Sequence, residues 1–172
     1  MKALSTTVGL QLHWVQPLIF ARHFELHSEN NLLGELRFEK ASKAYGTLRM
    51  AGSATESWTI KDAGFLKRRV TIRESGAKDD LAVFQPNFRG DGWVEFFEGS
   101  KFHWRSRNFW RTKWGFSNVQ EELLFVVKSK PSYPLQVQAI VEIGAQWRDL
   151  DELPLLMMLG WYLRVQDIYA GW

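Results

Sequence analysis

Residues able to do chemistry concentrate in one stretch, Lys101 to Phe116, which reads KFHWRSRNFWRTKWGF. It holds Lys101, Arg105, Arg107, Arg111 and Lys113 with no acid among them, and Trp104, Phe109, Trp110 and Trp114 are interleaved. Cations beside aromatic rings suit phosphate head groups or single-stranded nucleic acid. Read as a strand, Phe102 and Trp104 face one way while Lys101, His103, Arg105 and Arg107 face the other. The same alternation describes a solvated outer face over an aromatic core. A second basic cluster, Lys67, Arg68 and Arg69 with Arg73, has the same two readings: an anion contact, or an edge whose charge resists strand aggregation.

Other chemistry-bearing residues have structural explanations. His23 and His27 would share a metal ion on a helix. The intervening Phe24-Glu25-Leu26 alternates, which predicts a strand, and the two residues then lie about 13 Å apart, too far for one ion. The metalloprotease pattern also needs Glu directly after the first His, where this chain has Phe24. Asp79-Asp80 falls in a turn, and Asp149, Asp151 and Glu152 precede a helix; turn and cap account for both groups. A phosphate-cradling Gly loop, a nucleophile elbow and a triad with identifiable context are all missing from the sequence. No catalytic residue, metal or cofactor is therefore assigned.

The totals narrow the class. At 172 residues with 45% hydrophobic and 24% charged, the chain is one domain, 1–172, with enough residues for a real core. Aromatics reach 15%, with nine Trp and twelve Phe, and β-strands favour them. The formal net charge is only +3, a mild lean toward anionic partners but far from the basicity of a dedicated nucleic-acid binder, which argues against nucleic acid as a partner. With no cysteine, disulfides, Cys-ligated metals and a thiol nucleophile are excluded. The start, Met1-Lys2-Ala3-Leu4, makes a poor signal peptide, and no run is long enough for a transmembrane helix. A cytoplasmic protein, at most peripheral at a membrane, is expected.

Short alternating segments must position these residues. Val8 to Val15 predicts a strand, and His23 to Glu39 a hairpin turning at Ser28–Asn31. Tyr45–Met50, Ser57–Ile60, Lys67–Arg73, Leu81–Phe88 and Trp93–Phe97 continue the pattern. Phe102–Arg107, Lys113–Asn118, Leu123–Lys128 and Leu135–Glu142 complete it. Turns are expected at Gly52-Ser53, Asp62-Ala63-Gly64, Ser75-Gly76 and Gly90-Asp91-Gly92. Strands at this spacing suggest an antiparallel meander closing into a barrel or sandwich.

The last segment differs. Leu153 to Leu163 carries no charge and, wound as a helix, has no polar face. Such a helix is buried all round. Its eleven residues rise about 16 Å, short of a bilayer span. A central helix over about 151–165 is predicted, with acids before it and Arg164 closing it. Enclosure by the barrel buries it completely.

A many-stranded barrel wrapped around a hydrophobic C-terminal helix resembles the tubby-like superfamily, which includes tubby C-terminal domains, phospholipid scramblases and LURP-one-related proteins. The residues carrying the likeness are the Gly-punctuated strands from Val8 onward and Asp151 to Leu163. A LURP-one-like or bacterial relative is nearest, because the cysteine-rich segment and the Ca²⁺-loop pattern of scramblases are missing. The resemblance implies a roughly twelve-stranded barrel and a surface where basic residues meet phosphoinositides. The expectation is a non-enzymatic module meeting anionic lipid head groups, or a protein partner, through Lys67, Arg68, Arg69, Lys101, Arg105, Arg107, Arg111 and Lys113. Its rivals are a calycin-like carrier of a small apolar ligand with the helix outside, an enzyme with dispersed catalytic residues, and a protein-interaction scaffold.

Overall fold

The computed structural model describes residues 8–50, 54–63, 66–132 and 136–170. The expected turn at Gly52-Ser53, Gly64 of the next turn, Leu135 and Met1–Leu4 lie outside the described residues. The strands are β1 (Val8–Val15), β2 (His23–Ser28), β3 (Asn31–Lys40), β4 (Lys43–Leu48), β5 (Glu56–Ala63) and β6 (Arg69–Glu74). They continue as β7 (Ala82–Pro86), β8 (Gly92–Phe96), β9 (Lys101–Ser106), β10 (Lys113–Ser117), β11 (Leu123–Ser132) and β12 (Gln136–Gly144). Each pairs antiparallel with the next, and β1 pairs with β12, so the sheet closes as the expected twelve-stranded barrel.

Alternation decides which residues point inward. Phe24 and Leu26 on β2, Val70 and Ile72 on β6, and Val137, Ala139, Val141 and Ile143 on β12 are buried while their neighbours face out. On β11, Leu123 to Val127 are buried on both faces. A 3₁₀ turn over Ala145–Trp147 leads from β12 into α1 (Leu153–Ala170).

The helix fills the lumen. Eleven consecutive residues, Leu155 to Val165, are buried. Trp161 stacks on Trp14 of β1 at 5.5 Å and meets Phe24 of β2 edge-on at 5.6 Å, while Tyr162 stacks on Phe38 of β3 at 5.4 Å. Two glycines permit the close approach. A Cβ on Gly46 of β4 would lie 2.5 Å from Met158 Cγ, and one on Gly160 would lie 3.0 Å from Trp104 Cζ3. The alternative of a helix outside an open lumen is therefore overturned.

The helix bounds correct the expected 151–165. Asp151 and Glu152 form a turn before it, and at eighteen residues, about 27 Å, it runs well past Arg164. Arg164 does not mark a helix end because its charge is met inside: the guanidinium donates to Asp167 Oδ2 at 2.7 Å and to Ser129 Oγ at 3.0 Å.

Hairpin parity gives the barrel two unlike ends. Connections after odd-numbered strands share one end with the helix C-terminus; those after even-numbered strands share the other with the helix start. At the first end they carry Arg22, Lys67, Arg68, Arg89, Arg107 and Arg111 against one acid, Asp91. At the second, counting the segment 145–152 before the helix, nine acids face three bases, Arg49, Lys78 and Arg148. The molecule is polarised along its axis, which its net charge of +3 conceals.

Candidate functional site

The basic end gathers most of the residues that the sequence singled out. Arg69 begins β6 there, and Lys67 and Arg68 lie in the connection before it. Arg105 sits near that end of β9, Arg107 and Arg111 lie in the β9–β10 connection, and Lys113 opens β10. Lys101 does not join them. It starts β9 at the opposite end, 3.9 Å from Glu95. Arg73 likewise points away from the group and is held by Asp80 at 2.9 Å.

The aromatic–basic stretch divides as its alternation requires. Phe102, Trp104, Trp114 and Phe116 are core, while Phe109 and Trp110 stand in solvent at the turn. His103 faces outward, stacked on Trp93 at 4.4 Å. Burial first, then Arg105, pushes its pKa down, so it is neutral at pH 7 and adds nothing to the positive charge. Arg107 starts at the basic end but runs along β10 away from it, its guanidinium donating to Oγ of Ser117, the last residue of that strand, at 2.8 Å. Burial and the neighbouring Arg105 bring its pKa down to about 10, which leaves it charged.

Trp114 organises the centre of this end. Its ring lies beneath two guanidinium groups, that of Arg111 at 4.6 Å and that of Arg164 at 5.4 Å. Arg111 also donates to the Arg89 carbonyl oxygen, tying the β9–β10 connection to the β7–β8 connection. Arg89 thus bridges the two basic clusters that the sequence left separate. A cavity of about 330 Å³ opens beside Trp114, lined by Arg68, Gly90, Arg164, Gln166 and Asp167 among others. Its bases are already neutralised, Arg68 by Asp62 at 2.8 Å and Arg164 by Asp167 at 2.7 Å. The surplus positive charge lies on the rim, at Lys67, Arg69, Arg89 and Lys113, all exposed.

The other candidate groups are dispersed. His23 and His27 do not converge; His27 Nε2 meets Glu25 Oε2 at 2.8 Å and His23 Nε2 meets Glu35 Oε1 at 3.5 Å. Glu25 and Glu35 are opposite each other across β2 and β3, so with His23 they form a three-residue group. Arg37 at 3.3 Å from Glu35 and His27 on Glu25 account for the paired carboxylates without an ion. At the acidic end, Glu56, Arg148, Asp149 and Asp151 line a second cavity of about 570 Å³ with Leu10, Leu33 and Met50. Burial first, then Glu74 and Asp151, raises the Glu56 pKa.

Sequence reasoning missed Arg22, Arg89, Phe20, Leu66 and Phe88 at the basic end. Their signal is a short one: a large apolar residue followed within two positions by a base, repeated in turn after turn.

Fold and rim together define a helix-filled up-and-down β-barrel with one cationic mouth. The chain has no match among family models, curated proteins or solved structures.

Proposed function

We propose that the protein is a non-enzymatic binding module that attaches to anionic phospholipid surfaces through the basic end of its barrel. The observation that carries the reading is the rim charge: the connections of one end hold six bases against one acid, and Lys67 and Arg89 among them, with Arg69 and Lys113 at the adjoining strand starts, are exposed. An anionic lipid surface attracts such a rim at roughly 1 kcal/mol per Lys or Arg. The lumen is occupied by α1, so the outside is where a partner of this kind is met. The barrel closed around a hydrophobic helix supports membership of the tubby-like superfamily, nearest to its LURP-one-like branch, as part of the same proposal. A peripheral place at a membrane belongs to the same proposal.

Vesicle flotation tests it. Binding is expected to vesicles containing phosphatidylserine and not to pure phosphatidylcholine, and to weaken as salt rises. Neutralising Lys67, Arg89 and Lys113 together to Gln should cost about 3 kcal/mol, close to a hundredfold in partition. Equal binding to both vesicles, or none to either, overturns the reading.

A further inference from the structure

Four connections at the basic end share a feature that charge attraction alone does not require. Each carries a large apolar side chain in open solvent with a base one or two residues later: Phe20 with Arg22, Leu66 with Lys67, Phe88 with Arg89, and Trp110 with Arg111. Leu66 is 96% exposed, Phe88 92%, Phe109 87%, Phe20 82% and Trp110 78%. The up-and-down topology puts all four connections on one rim. The acidic end has Phe97 and Val119 exposed in its connections, and acids follow them, Glu98 and Glu121.

The tips belong to four different hairpins, the β1–β2, β5–β6, β7–β8 and β9–β10 connections, distributed around the closed strand order. Apolar tips on different hairpins, each followed in sequence by a base, differ from the contiguous apolar patch that marks a protein partner. A fluid bilayer receives each one individually. A base just after the tip suits the same surface, because a long basic side chain keeps its charge among the phosphates while apolar neighbours go deeper. Trp110 adds a ring of the kind that settles at a membrane–water interface.

We propose that the protein sits end-on on an anionic bilayer, its barrel axis along the bilayer normal. Phe20, Leu66, Phe88, Phe109 and Trp110 enter below the phosphates, and Lys67 and Arg89, the exposed bases that follow Leu66 and Phe88, lie among them. This rests on the phospholipid reading above and adds insertion and orientation to it.

The chain has no cysteine, so one nitroxide label can be placed at will. Phe88→Cys and Phe97→Cys, each labelled, are bound to phosphatidylserine-containing vesicles, and depth is read from relaxation by oxygen against a water-soluble nickel chelate. The label at 88 is expected below the phosphate level and that at 97 in water. In flotation, Phe88→Ser, Phe109→Ser and Trp110→Ser together, which keep every charge, should weaken partition at least about tenfold. An unchanged melting curve shows that this variant is folded, since all three side chains are exposed. If the protein binds anionic vesicles but label 88 stays in water, or the triple variant binds unchanged, insertion is wrong and the electrostatic reading stands. If it binds no anionic vesicle, both fall.

Discussion

Phe20 occupies the left-handed region at φ 69°, a conformation that costs a bulky residue on the order of 1 kcal/mol or more. Its ring is 82% exposed, so little burial offsets the strain. Phe20→Gly relieves it while giving the unfolded chain more freedom, two effects of similar size. The melting temperature should therefore move by only a few degrees, whereas partition onto anionic vesicles should fall. A large stability loss in a thermal melt would mean the ring has a folding role. Tyr162 is the opposite case, buried and bonded. Its hydroxyl donates to the Ser42 carbonyl oxygen at 3.0 Å, and burial pushes its pKa up to about 12 from 10.0. A raised pKa gives stability that is fully present below about pH 10 and lost as pH climbs through about 12. Tyr162→Phe should cost about 1 kcal/mol at pH 7 and flatten that alkaline loss in denaturant titrations. Glu56 has the same sign at lower pH: its raised pKa makes the charged form the unfavourable one. Glu56→Gln should stabilise at pH 7 and make no difference below the carboxylate range, as followed by melting temperature against pH.

At the scale of elements, α1 and the strands facing it act as one unit. Leu156 is fully buried against the barrel interior, so Leu156→Asp strands a charge and should cost several kcal/mol. A soluble variant with an unchanged cooperative melt would contradict this packing. Gly46→Ala tests the closest approach. The new methyl meets Met158 Cγ, and overpacking of this kind costs about 1–3 kcal/mol in denaturant unfolding. Uniform apolarity made this helix readable from Leu153 to Leu163, because burial on every side has one solution here. Its last turns were not readable. Arg164 looks like a terminus in sequence, and only the folded chain shows Ser129 and Asp167 waiting for it. The strands were legible from alternation, with errors of up to four residues at their ends, such as Leu123 to Lys128 against an observed Leu123–Ser132. The rim was half legible. Clustered bases announce themselves, but Lys101 shows that alternation gives the face of a strand and not the end of the barrel. The apolar–basic turns went unnoticed because each alone is an ordinary turn; their meaning depends on topology placing them together.

At the scale of the whole molecule, charge separation along the barrel outweighs the total of +3. The screening length is about 8 Å at physiological ionic strength, much less than the roughly 27 Å length of the helix. The acidic end is therefore hidden electrostatically from a surface touching the basic end. Glu121→Lys with Glu122→Lys should leave partition onto anionic vesicles within about twofold at that ionic strength. A gain of tenfold would show that the barrel does not dock by the basic end.

Ring closure also sets the order in which the chain can fold. The strands that seal the barrel, β1 and β12, are the first and last made, and the segment that fills it is synthesised after both. Until α1 leaves the ribosome, the inward faces of twelve strands have nothing to pack on. Strand pairing this distant in sequence is slow, and exposed apolar strands are prone to aggregate. The order of the elements thus puts sealing and filling of the barrel last, after every other strand has been made.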